Sequence, residues 1–365
     1  MSCTTKNKQR KQRNSGAAGA STALDSNSKL FPPALLRDIR SLIDDARGRA
    51  AAAVNAEMVT LYWSIGERIR KDILALERAP YGEQIVSALS RQLSEEYGRG
   101  FNRPNLFHMI RFAETFPDQQ IVSALSRQLS WTHLRQIIYL KDPLQREFYT
   151  QMCRMERWST RLLQQKIQSL LYERTAISRK PGHLIRRELA RLRDEDRISA
   201  DLVFRDPYFL DFLQLKDAYS EKDLETAILR DLEQFLLELG SDFSFLARQK
   251  RITVDHEDYY LDLLFYHRRL RRLLAADLKL GEYRAADKGQ MELYLRWLEK
   301  HEQQTGEESP LGLILCAGKS EEHVELLQLK KSGIRVAQYL TELPPRAVLQ
   351  RRLHEALRTA RKRLS

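Results

Sequence analysis

Residues 259–267 read YYLDLLFYH and residues 273–280 read LLAADLKL, with the basic turn RRLRR between them. Both apolar runs have strand length, so they predict two adjacent strands joined by a short connection. Burial then limits what can interrupt them. Asp262 interrupts the first run, and Asp277 and Lys279 interrupt the second. A charge in a buried strand is costly unless it is paired, hydrogen-bonded or bound to a metal. Asp277 and Lys279 are two residues apart, so on a strand they face the same side. Magnesium takes hard oxygen ligands, one or two of them carboxylates, and leaves room for water and phosphate. A lysine beside it can orient an attacking water and stabilise charge on a phosphate. That is the chemistry of phosphodiester hydrolysis. A partly exposed hairpin carrying a salt bridge would show the same spacing, so D-x-K alone does not decide.

The next segment adds to the pattern. After GEYRAADKG, the stretch QMELYLRWLEKHE has apolar residues at Met291, Tyr294, Leu295 and Leu298, which is helical spacing. Gln290 and Tyr294 are four apart and share a helical face. An Asp on a strand, (D/E)-x-K on the next and Q-x-x-x-Y on the following helix resemble the PDDEXK nuclease superfamily. The run from YYLDLLFYH to QMELYLRWL, with GLILCAGKSEEHVELL after it, is similar to the bacterial YhcG-like family. So are the earlier stretches YGRGFNRPNLFHMIRFAETFP and LSWTHLRQIIYL, and the resemblance covers roughly residues 35 to 360. It implies an α+β chain with an all-helical N-terminal domain and a C-terminal PDDEXK, restriction-endonuclease-like αβββαβ core.

Composition narrows the class. The chain has 365 residues, enough for two domains, and 42% of them are hydrophobic. No run approaches the roughly 18 apolar residues of a membrane helix, and the charged N-terminus lacks the apolar segment of a signal peptide. Cys3, Cys153 and Cys316 are far apart, without C-x-x-C spacing. This disfavours a disulfide framework or a zinc site and fits the cytoplasm. The net charge is +12 and unevenly placed: residues 1–200 carry 34 Lys and Arg against 21 Asp and Glu, residues 201–365 carry 27 against 28. A basic module ahead of a catalytic one suits nucleic acid, DNA first, held by one part and cut by the other.

Along the chain, residues 1–30 read as a disordered basic tail, 31–200 as a helical domain binding nucleic acid or a partner, and 201–365 as the nuclease domain. The helical pattern runs from 35 to about 79. The decapeptide IVSALSRQLS occurs at 85–94 and again at 121–130, which points to a local duplication. A helix, the turn GRGF and NRPNLFHMIRFAETF also admit a helix-turn-helix, with Arg103, Asn105, His108 and Arg111 as DNA contacts. The competing reading makes Leu106, Met109, Ile110 and Phe112 core and leaves the polar residues facing solvent. Ser159 is placed to cap a helix, and EKDLETAILRDLEQFLLELG reads as one helix stopped by Gly240.

The resemblance assigns roles. Asp262 is the central metal ligand and Asp277 the second, aided by the backbone carbonyl of Leu278. The cofactor is Mg²⁺ or Mn²⁺. Lys279 positions or polarises the attacking water, and Gln290 and Tyr294 orient phosphate or the lysine. The helix acid is Glu225, Glu233 or Glu238, with Glu225 preferred. His256 and His267 flank the second strand and belong to turns before they are read as ligands. Arg248 and Lys250 can contact phosphate or face water. A homo-oligomer is compatible with the sequence. The alternatives are an adaptor with a structural nuclease fold, or a nuclease acting on RNA.

Overall fold

A computed structural model describes residues 33–75, 79–215, 219–240 and 242–364, so the expected tail at 1–30 lies outside the described residues. The chain divides between Trp131 and Thr132 into two compact units.

The first unit is helical: α1 (Pro33–Ala75), α2 (Ala79–Tyr97), α3 (Arg103–Thr115) and α4 (Gln119–Ser126). Its core gathers Tyr62 and Ile69 of α1, Val86 of α2, and Leu106 and Met109 of α3. Trp131 packs against Tyr62 and Phe112, with ring centres 5.0 and 5.6 Å away. Gly66 sets the approach of α1 to α3, since a Cβ there would lie 2.0 Å from the Met109 carbonyl oxygen. The repeated decapeptide takes two forms. At 85–94 it lies wholly within α2, whereas at 121–130 the helix stops at Ser126. The Asn55 amide of α1 donates to the carbonyls of Ser126 and Leu129, both at 3.0 Å, and so occupies groups a continuing helix would use. Val86 and Val122, the equivalent positions, are fully buried in both copies.

After α5 (Trp131–Ile137), the second unit begins with α6 (Pro143–Glu156), α7 (Thr160–Gln168), α8 (Leu171–Arg174), α9 (Gly182–Glu195) and α10 (Ala200–Val203). Ser159 caps α7 by accepting from the Leu162 amide at 3.2 Å. Then come β1 (Tyr208–Phe209), α11 (Glu221–Arg230), α12 (Leu232–Leu239), β2 (Phe243–Val254), β3 (Glu257–His267) and β4 (Arg272–Glu282). The chain ends with α13 (Ala285–His301), β5 (Leu311–Gly318), α14 (Glu321–Leu326), β6 (Ile334–Leu340) and α15 (Arg346–Leu364). The strands form one mixed sheet in the order β1-β6-β5-β4-β3-β2. The pairs β2–β3 and β3–β4 are antiparallel, and the remaining pairs are parallel. One face packs on α11 and α12 through Leu224, Ile228, Phe235, Leu263, Phe265 and Leu278. The other packs on α13 through Met291, Tyr294, Leu295 and Leu298. The expected single helix at 221–239 is two, broken at Asp231.

The division expected at residue 200 falls inside the second unit. Arg174 explains why the preceding helices join the sheet. Its side chain is fully buried, pairs with Glu238 of α12, donates to the Pro207 carbonyl at 3.1 Å and covers the Phe209 ring at 3.6 Å.

Candidate active site

The site lies where β3 and β4 part. Their ladder runs from His267↔Arg272 to Leu263↔Ala276, and Asp262 and Asp277 are the next residue on each strand. Beyond this point the Leu278 amide is no longer paired across to β3. The Asp262 carboxylate accepts from it instead, at 2.8 Å. Asp262 is thus held by the backbone of the strand that carries the other two site residues.

Asp277 is 2% exposed, and its Oδ2 lies 2.8 Å from the Lys279 ammonium. That contact is an ion pair, and the Asp262 carboxylate also faces Asp277. Burial raises the proton affinity of Asp277 well above the usual carboxylate range; the Asp262 charge adds to this, and Lys279 opposes it. For Lys279, burial alone would lower the pKa. The carboxylates of Asp277, Glu221 and Asp262 outweigh burial, so the lysine stays a cation.

Glu225 comes to the site from α11, and the link is a residue that sequence reasoning missed. Gln249 of β2 donates through one amide nitrogen to Glu225 Oε2 at 2.9 Å and to Asp262 Oδ1 at 3.0 Å. Its backbone is left-handed, with φ +43°, and it follows a register shift between Phe245 and Ala247. Such an irregularity re-aims side chains. The other Glu225 oxygen is buried without a hydrogen bond, and Arg248 Nε stands 4.0 Å from it. Glu221, one helical turn earlier, accepts from the Leu280 amide at 3.2 Å and was also missed.

Gln290 and Tyr294 of α13 complete the cluster. Gln290 donates to the Tyr294 hydroxyl at 2.6 Å, and that hydroxyl donates to the Tyr260 carbonyl at 3.0 Å, two residues before Asp262. The remaining candidates lie apart. Glu238 is bound by Arg174, Arg205 and the Phe209 amide. Burial would raise its pKa, but the two arginines hold it below the usual value. Glu233 is exposed. His256 sits in the β2–β3 turn with φ +68°, and His267 meets the Phe243 ring edge-to-face at the far end of β3. Lys250 pairs with Glu302 at 2.9 Å.

In the first unit, Arg103, Asn105, His108 and Arg111 all lie on α3. The Asn105 amide serves the fold at both ends, donating to the Gly100 carbonyl and accepting from Trp131 Nε1. Arg103 pairs with Glu83 at 3.1 Å.

The donors fit a hard divalent cation. Asp262 and Asp277 present carboxylate oxygens side by side, and a buried oxygen of Glu225 lacks a hydrogen bond. Among the described residues no three His, Cys, Asp or Glu side chains form a closed cage. Magnesium requires only one or two carboxylates with water and phosphate, so an open pair suffices.

Comparison with known proteins agrees with this layout. The DUF1016 N-terminal domain matches residues 38–174, and the YhcG PDDEXK nuclease domain matches residues 201–354. The Escherichia coli (strain K12) protein named "Putative nuclease YhcG" is 35% identical over 335 residues, covering 83% of this chain and 88% of that protein. The chain belongs to the YhcG-like family. Its sheet and flanking helices are therefore the family's PDDEXK nuclease domain, and Asp262, Asp277 and Lys279 lie within the matched residues. A repair endonuclease from Pyrococcus abyssi aligns at 19% identity over 36% of this chain and 50% of that one, with a TM-score of 0.24. EndoMS in a complex with double-stranded DNA aligns at 15% identity over 36% and 49%, with a TM-score of 0.26. These structural likenesses cover half of each relative and are too slight to inform the YhcG-like site. No described helix is long and apolar enough to cross a membrane.

Proposed function

We propose that this YhcG-like protein is a divalent-cation-dependent nuclease that hydrolyses DNA phosphodiester bonds, an endonuclease of repair, recombination or defence. The observation that carries the reading is the grouping of Asp262, Asp277 and Lys279 at one opening in the sheet, with the buried Asp277 carboxylate beside both Asp262 and the lysine. Mg²⁺ or Mn²⁺ would be held by Asp262 and Asp277, with the Leu278 carbonyl as a further ligand. Bound there, it would polarise the phosphate and lower the pKa of a coordinated water.

The chain's own residues do the rest. Lys279 holds the attacking water and offsets charge as water oxygen bonds to phosphorus and the P–O bond to the leaving sugar breaks. The attacking water gives up a proton to solvent, and the leaving oxygen takes one from solvent. Gln290, braced by Tyr294, has a second amide hydrogen for a phosphate oxygen. Gln249 keeps Glu225 beside Asp262.

The test is cleavage of linear, circular and branched DNA, and of RNA, with Mg²⁺, with Mn²⁺ and with EDTA. Cutting of DNA that stops with EDTA is expected. Binding without cutting on every substrate would favour the adaptor, and preferential cutting of RNA would move the substrate class.

A further inference from the structure

The first half of α1 repeats apolar side chains at alternating intervals of three and four: Leu36, Ile39, Ile43, Ala46, Ala50 and Ala53. That is a heptad seam, a stripe that returns to one face of a helix every seven residues. Later in α1, the residues that serve the first unit's own packing are Asn55, Val59, Tyr62, Gly66 and Ile69. They also recur at four and three, but in a register that lies on the opposite face of the helix. The seam therefore points away from the core that its own helix supports.

Among the described residues nothing covers it. Leu36 is half-buried, and every residue from Arg37 to Val54 is exposed. Ile39 and Ile43 are 43% and 45% exposed, and Leu42 beside them is 68% exposed. A helix in water draws most of its stability from packing one face, and Gly48 in the middle of this stretch weakens it further.

The seam is graded in size, and the grading selects its occupant. Leu36, Ile39 and Ile43 are large, whereas Ala46, Ala50 and Ala53 are small. Two copies laid antiparallel about a point between Asp44 and Asp45 set Leu36 against Ala53, Ile39 against Ala50 and Ile43 against Ala46. Large side chains then fill the space that small ones leave. A parallel pair would set alanine on alanine and leave a gap. On one flank the antiparallel register brings Asp38 beside Arg49 of the second copy. On the other, Arg40 comes beside Arg47, with Asp44 one turn from each. Residues 33–56 overlap, about 36 Å of helix. A strip of that length over a third of the helix surface is on the order of 500 Å² per copy. The pair thus buries about 1,000 Å², the lower bound of a specific interface, which suits a reversible dimer.

We propose that residues 36–53 of α1 pair antiparallel with the same segment of a second copy of this chain. The pairing is independent of the nuclease reading. Sedimentation velocity of the full-length protein over about a hundredfold range of micromolar concentration should show a reversible monomer–dimer equilibrium, since assembly follows mass action. Ile39→Asp with Ile43→Asp should weaken it by about tenfold or more, because both charges would be buried in the seam. Ala46→Leu with Ala50→Leu adds apolar surface yet should also weaken the dimer, because Ile43 and Ile39 already fill the space opposite. Ile39→Ala, Ile43→Ala, Ala46→Ile and Ala50→Ile together transpose the sizes and should restore association to within about threefold. All these positions lie outside the first unit's core, so thermal unfolding of each variant at monomer concentrations should match wild type. A wild-type chain that stays monomeric overturns the proposal. Hydrogen exchange then identifies what replaces it: protection of 36–53 places the seam against another part of the same chain, and fast exchange leaves it to a different protein. Association unchanged by the aspartates overturns the seam as the interface, and tighter association with the added leucines overturns the antiparallel pairing.

Discussion

Gln249 shows how much of the site depends on a neutral side chain. One amide nitrogen holds two carboxylates that would otherwise repel, and burial already raises the proton affinity of Glu225. Gln249→Ala leaves both acids without that donor, so the metal-free protein should lose about 1–3 kcal/mol, the usual cost of an unsatisfied buried polar group. Urea unfolding checks this. The loss should shrink when Mg²⁺ is added, because a cation can take over the role of the donor. An equal loss with and without Mg²⁺ would make the bridge purely structural. Asp262, Asp277 and Lys279 were legible because charge is conspicuous in an apolar strand. Gln249 was not, since an uncharged amide between Arg248 and Lys250 breaks no pattern. Its role comes from a left-handed backbone and a register shift that only the folded sheet reveals. Among the three helix glutamates, sequence could prefer Glu225 only by resemblance. What separates them is tertiary: arginines consume Glu238, solvent surrounds Glu233, and Gln249 reaches Glu225.

The strands of the nuclease sheet follow from period and length, and those read at 259–267 and 273–280 lie within β3 and β4. Helix ends were harder to place. Identical decapeptides end differently because Asn55 of α1 reaches only one of them, and such a contact is invisible locally. The far end of β3 gives a test of stability. His267 is 3% exposed, its Nδ1 accepts from the Leu270 amide at 3.1 Å, and burial pushes its pKa down to about 4. The unfolded chain, with an ordinary value of 6.5, takes up the proton first as pH falls. The neutral form therefore contributes full stability near pH 7, and that contribution is lost between about pH 6.5 and 4. Going from pH 7 to 5 should cost the second unit about 2 kcal/mol through this group alone. Thermal unfolding of His267→Gln, which keeps an acceptor, should show a flatter profile over that window. An unchanged profile would place the sensitivity elsewhere.

The basic and acidic halves of the chain do not coincide with its compact units. Composition changes near residue 200, and the matched families divide between 174 and 201, yet packing divides the chain after Trp131. The reason is the buried Arg174–Glu238 pair, which ties the arginine-rich helices to the sheet. Chain ends placed at 131 and at 200 should thus behave differently. A fragment ending at 131 should keep cooperative helical unfolding, whereas one ending at 200 should be cut rapidly by trypsin throughout 132–200. Equal protection of that segment with and without the sheet would show that it folds independently of the sheet. The family, the order of strands and helices along the nuclease domain and the carboxylates of the candidate site were legible from sequence, while the unit boundary depends on a contact 64 residues apart. The central claim, that Asp262, Asp277 and Lys279 form a cation-dependent hydrolytic site, is tested most directly by single-turnover DNA cleavage alongside calorimetric Mn²⁺ binding. Asp262→Ala should abolish both cleavage and specific Mn²⁺ binding. Lys279→Ala should keep Mn²⁺ binding within a few-fold and lose at least a hundredfold in rate, since its charge matters most in the transition state. Full activity in either variant would contradict the assignment.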